Sequence, residues 1–165
     1  MESLFFYIFA SITVGMVLLM IFQTNPVASA LYLVFAFFGL AGLYVLLSAS
    51  FVAVLQVLVY AGAIMVLFVF VIMLLNLKKE DLIDDKIGKK HVLVVILGML
   101  FAGFFIKYFL SIPVVPFEEV PANFGEVAEV GKLLFTKYLI PFELTSILLL
   151  VGIIGAVVLG KKEIE

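Results

Sequence analysis

Five residues in this sequence invite a chemical reading: Gln56, Tyr60, His91, Lys107 and Glu143. His91 is the only histidine, and cysteine and arginine are both absent. A lone imidazole builds no zinc or haem site. Without thiols there is no disulfide, no thiolate-bound metal, no iron–sulfur ligation and no cysteine nucleophile. Without guanidinium groups, the bidentate clamps of nucleotide phosphates are missing. The expectation is a chain with no catalytic residue, no cofactor-binding residue and no metal ligand of its own. What the remaining polar groups can do depends on where they sit.

The elements that position them follow from composition. Of 165 residues, 66% are hydrophobic and 13% charged, against about 25% charged in an ordinary soluble domain. From Ser3 to Leu77 there is no Asp, Glu, Lys, Arg or His. A soluble fold would have no charge to solvate that surface, which excludes a soluble enzyme, a nucleic-acid binder and a disordered segment. The pattern reads as all-α, a multi-pass membrane protein. About 20 apolar residues cross the hydrocarbon, which gives five spans near 4–22, 27–47, 51–77, 92–112 and 141–160 in one integral membrane domain. Met1-Glu2-Ser3 is acidic where a signal peptide is basic, so the first span is expected to be retained. Gln23-Thr24-Asn25-Pro26 and Ser48-Ala49-Ser50 are the turns between the first three spans.

Lysines orient the chain. Lys78, Lys79, Lys86, Lys89, Lys90, Lys161 and Lys162 lie on one side, against Lys107, Lys132 and Lys137 on the other, where Glu118, Glu119, Glu126 and Glu129 dilute them. The positive-inside bias places the 78–91 loop and the C-terminus in the cytoplasm and the N-terminus outside. The external loop, 113–140, is extended through Pro113, Pro116 and Pro121. It then sets Val127, Val130 and Leu134 on one helical face over about 125–135, the pattern of a short helix lying on the membrane surface.

Placed in these spans, the polar groups look sparse. Lys107 lies near the outer end of the fourth span, where its stem can snorkel to the headgroups. Glu143 is the third residue of a helix begun by Pro141, placed for a helix cap or for a contact with a partner subunit. No acid or base sits at mid-bilayer, so the chain alone cannot run a proton relay. The third span is about 40 Å long as an ideal helix, about 10 Å more than the hydrocarbon. Gln56 and Tyr60, four apart, are expected to share a face. Tyr60 lies too deep for an aromatic belt and precedes Ala61-Gly62-Ala63. Two readings stand: a π-bulge in the third span, or a glycine that lets another helix approach. Gly39 and Gly42, Gly98 and Ala102, and Gly152, Ala156 and Gly160 offer further close-packing stripes. This is more packing surface than five short spans can satisfy, and it points to a larger assembly rather than a functional monomer.

Thr24-Asn25-Pro26-Val27 and the run Val59-Tyr60-Ala61-Gly62-Ala63-Ile64-Met65-Val66-Leu67-Phe68-Val69-Phe70, continuing to Leu77, closely resemble chain J of NADH-quinone oxidoreductase. That family is the bacterial counterpart of the sixth mitochondrially encoded membrane subunit of complex I. Leu134 to Leu144 and Gly155-Ala156-Val157-Val158-Leu159 look like its C-terminal signature. The resemblance implies a non-catalytic coupling subunit of a proton-pumping NADH:quinone oxidoreductase in the inner cell membrane. Its implied neighbours are the A, K, H and N chains, with FMN, iron–sulfur clusters and quinone held by partner subunits. It also implies a π-bulge around Tyr60 that can convert to regular α-helix, with Gln56, Tyr60, Ala61, Gly62, Ala63, Met65, Phe68 and Phe70 as the coupling residues. Some relatives carry glutamate at the position of Gln56, so an amide here suggests hydrogen bonding rather than proton carriage. The alternative is a purely structural scaffold of the same complex or of a hydrogenase- or ferredoxin-linked one. A small independent carrier is disfavoured by the lack of buried charge.

Overall fold

The structure, a computed structural model, describes residues 1–75, 89–112, 121 and 123–161. It consists of helices: α1 (Glu2–Phe22), α2 (Pro26–Leu46), α3 (Ser50–Leu55), a π-helix (Gln56–Ile64), α4 (Met65–Leu74), α5 (Lys89–Ser111), α6 (Val127–Thr136) and α7 (Leu139–Gly160). The lysine-bearing loop up to Ile87-Gly88, Pro113 and Pro116 with their neighbours, and Lys162 lie outside the described residues. So do Asn76 and Leu77 of the expected third span. Among the described residues, four stretches are long and apolar enough to cross a bilayer: α1, α2, the continuous Ser50–Leu74 helix and α7. Within α5 the described apolar stretch is Ile96–Ser111.

Local chemistry sets the boundaries. Asn25 caps α2, its Oδ1 accepting from the amides of Val27 at 2.9 Å and Ala28 at 3.3 Å, and Pro26 occupies the first turn. These two residues satisfy or remove the donors a helix start leaves free. α1 then runs back along α2. The Ser29 hydroxyl donates to the Met20 carbonyl at 2.9 Å across the pair. At Gly39 and Gly42 the backbones close up: a Cβ on Gly42 would stand 2.5 Å from the Phe9 ring. The buried apolar residues are small, namely Ala30, Ala36, Ala41, Ala53 and Ala61, with Met65. In a lipid-facing bundle, small residues permit the close approach that packing requires. Nearly all large apolar side chains point outward, as expected of surfaces solvated by lipid or covered by other chains.

The N-terminus of α3 carries a topological fact. The Phe51 amide donates to the Gly125 carbonyl at 3.1 Å, so the α2–α3 turn and the approach to α6 share one side of the bundle. The Ser50–Leu74 helix leaves that side, and α5, of 23 residues, follows it in the chain. The protein is an all-α, multi-pass membrane protein.

Candidate functional site

The third span is where the backbone departs from α geometry. At its start the Gln56 amide still donates to the Val52 carbonyl, four residues back. At its end the Met65 amide reaches the Tyr60 carbonyl, five back. Between them nine residues form a π-helix, far longer than the single-turn bulges usual inside α-helices. The sequence there mixes β-branched Val57, Val59 and Ile64 with Gly62, none of them strong helix formers. A Cβ on Gly62 would sit 3.3 Å from the Val57 carbonyl oxygen, again five residues back. Glycine leaves that carbonyl uncrowded.

The wider step re-aims the side chains. The buried residues of the helix are Ala53, Gln56, Ala61 and Met65, spaced by three, five and four. In an unbroken α-helix the residue four beyond Gln56 would complete the face, and that residue is Tyr60. Here Gln56 is 6% exposed and Ala61 5%, while Tyr60 is 50% exposed. Gln56 and Tyr60 therefore do not share the buried face expected from their spacing, because the inserted step hands that position to Ala61. Tyr60 instead lies at the margin against α2, its ring edge-on to Phe37 at 6.1 Å between centroids. Such a pair contributes about 0.5–1.5 kcal/mol. Gln56 is the one buried polar side chain among the described residues. Gly62 is half-buried, Ala63 is exposed, and Phe68 and Phe70 in α4 point outward.

Straightening the helix would slip the register by one. With Ser50–Gln56 held, Tyr60 and Ile64 would arrive where Ala61 and Met65 now pack, and everything beyond would turn by about 100°. Phe68 and Phe70 would be carried to another face. A straightened helix would thus set a tyrosine against α2 in place of a small residue. Neither Phe37 nor the Ala61 register can be found from periodicity alone, although two small residues flanking Gly62 are a usable signal.

Glu143 is corrected. α7 begins at Leu139 rather than Pro141, since proline fits anywhere in a first turn whose amides are free. Glu143 is therefore its fifth residue, beyond the reach of a cap, and no side chain caps that end. It is exposed, as is Lys107. The small residues Gly98, Gly152 and Gly160 have open space where a Cβ would be, whereas Gly39 and Gly42 are filled by α1.

A bundle with a small-residue core, bare apolar flanks and an irregular third span is a multi-pass membrane protein. Comparison with known proteins identifies it further. Residues 16–159 match the family model of NADH-ubiquinone/plastoquinone oxidoreductase chain 6, and the chain belongs to that family. It is 39% identical to NADH-quinone oxidoreductase subunit J of Buchnera aphidicola, over 96% of this chain and 97% of the relative. It is 37% identical to NAD(P)H-quinone oxidoreductase chain 6 of Synechocystis, over 96% and 80%. It is also 34% identical to F(420)H(2) dehydrogenase subunit J of Methanosarcina mazei, over 99% and 93%.

Proposed function

We propose that this chain is a membrane-arm subunit of a proton-pumping NADH:quinone oxidoreductase, and that its third helix couples quinone reduction to proton translocation by switching between π and α forms. The observation that carries the reading is the π-helix at Gln56–Ile64, with Ala61 rather than Tyr60 on the buried face. Bulky residues of α4 turned toward a crevice exclude water, and turned away they admit it. The proton-bearing groups belong to neighbouring subunits, for which the A, K, H and N chains are proposed. FMN, iron–sulfur clusters and quinone are likewise assigned to partners, the complex to the inner cell membrane, and exposed Glu143 to a partner contact. The relatives' names span NADH, NAD(P)H and F(420)H(2) as donors, in keeping with a subunit that serves coupling and leaves donor choice to other chains.

The direct test is deletion of the gene with restoration on a plasmid. Membrane vesicles lacking the chain are expected to lose donor-driven proton uptake and to regain it with the wild-type copy. Undiminished uptake in the deletion strain contradicts the proposal. A second expectation concerns orientation, with the N-terminus outside and the 78–91 loop and C-terminus in the cytoplasm. Reporter fusions after Lys161 should behave as cytoplasmic, and an external reading there reverses the assignment of every loop.

A further inference from the structure

The π-to-α conversion fixes only a relative rotation of the two halves of the third span, and something else must decide which half turns. We propose that Gly125 is the positioning residue that decides it: a backbone clasp between Gly125 and the α2–α3 turn holds the Ser50 half still, so that the Met65–Leu74 half does the turning. The inference rests on the coupling role proposed above. The clasp joins segments more than seventy residues apart in sequence. Its hydrogen bond runs from the Phe51 amide, in the first turn of α3 where helix donors are free, to the Gly125 carbonyl at 3.1 Å. Both sides adopt left-handed backbone, Ser48 at φ 57° and Gly125 at φ 73°. For Ser48 this is an unfavourable conformation, which the surrounding structure must offset. The two backbones lie in contact: a Cβ on Gly125 would overlap the Ser48 carbonyl oxygen and stand 2.9 Å from the Ala49 Cα. Only glycine meets both the dihedral and the space.

What lies behind Gly125 makes the clasp an anchor. α6 starts two residues later, packs on α3, and is joined to α7 through Lys137 and Tyr138. That joint is stiffened by the Phe135 and Phe142 rings, edge-on at 4.9 Å, and by the amides of Lys137 and Tyr138, both donating to the Leu133 carbonyl at 3.0 Å. The Ser50 half is thereby tied to a second membrane-crossing helix. The Met65–Leu74 half touches α2 alone outside its own helix among the described elements, through side chains that can slide. A rotation of about 100° therefore falls to α4.

The test compares assembled complexes carrying Gly125→Ala, Gly131→Ala or no change, in native membranes. Gly131 has open space around its Cα and serves as the control. In Gly125→Ala, electron transfer is expected to persist while protons moved per electron fall. The Phe51 amide is expected to exchange about tenfold faster, the effect of losing one hydrogen bond. Faster exchange with an unchanged proton-to-electron ratio overturns the proposal. If Gly125→Ala fails to assemble, or leaves exchange unaltered, Phe51→Pro decides in its place. It removes the donor within the first helical turn, where proline is tolerated, and normal coupling there also overturns the proposal. Uncoupling by Gly62→Leu alone would leave the switch standing without its anchor. Normal coupling in both would remove the switch itself.

Discussion

Gly62→Leu is expected to abolish proton pumping while the complex assembles and electrons still reach quinone. Leucine favours regular α-helix over glycine by about 1 kcal/mol. If the two forms lie within about 1 kcal/mol of one another, a bias of this size moves the population about fivefold toward α. The helix would then stay straightened, with Tyr60 driven toward the α2 face that Ala61 now fills. The measurement is the proton-to-electron ratio in inverted membrane vesicles, alongside the rate of donor oxidation. Tyr60→Phe separates ring from hydroxyl. It keeps the edge-on pair with Phe37 and is expected to slow turnover or weaken coupling less severely than Gly62→Leu. An assembled Gly62→Leu complex with normal turnover and normal pumping would remove the switch and leave a scaffold.

Much of the architecture was legible because it rests on two one-dimensional signals, apolar length and turn chemistry. Asn25-Pro26 marks the start of α2 in the sequence and caps it in the structure. α1 ends at Phe22 and α2 at Leu46, each beside its turn residues. Glu143 shows where that reasoning thins: a proline at 141 names the first turn of α7 but not its first residue, and the two-residue difference takes the carboxylate out of capping range. Register along the third span was beyond reach for another reason. Spacing arguments assume a constant step, and Gln56 and Tyr60 lie on either side of the place where the step changes. The clasp of Gly125 on Ser48 is a tertiary contact with no periodic trace. Small-residue stripes have a similar ambiguity. They say that a helix can be approached closely, not by which helix, and here Gly39 is met by α1 while Gly152 faces open space.

That contrast yields a sharp expectation at Gly39. α1 rests on α2 alone among the described helices and has no buried residue of its own, so its attachment depends on how closely the two backbones approach. A Cβ on Gly39 would lie 2.5 Å from the Thr13 hydroxyl, 3.1 Å from the Thr13 nitrogen and 3.2 Å from the Phe9 carbonyl oxygen. The hydroxyl cannot simply swing aside without giving up its 2.8 Å bond to that same Phe9 carbonyl, and the two backbone atoms cannot yield without moving α1. Overpacking by a single methyl at such a place costs about 1–3 kcal/mol, and a leucine needs a gap the helix pair does not have. Gly39→Leu is therefore expected to release α1 and to deplete the chain from the assembled complex, read as the amount recovered on a native gel. Gly39→Ala should assemble but lose thermal stability. Thr13→Ala placed beside Gly39→Ala should restore part of that loss by clearing the nearest of the three atoms, leaving the two backbone contacts uncorrected. Wild-type assembly and stability in Gly39→Leu would mean that α1 does not pack on α2 along this line.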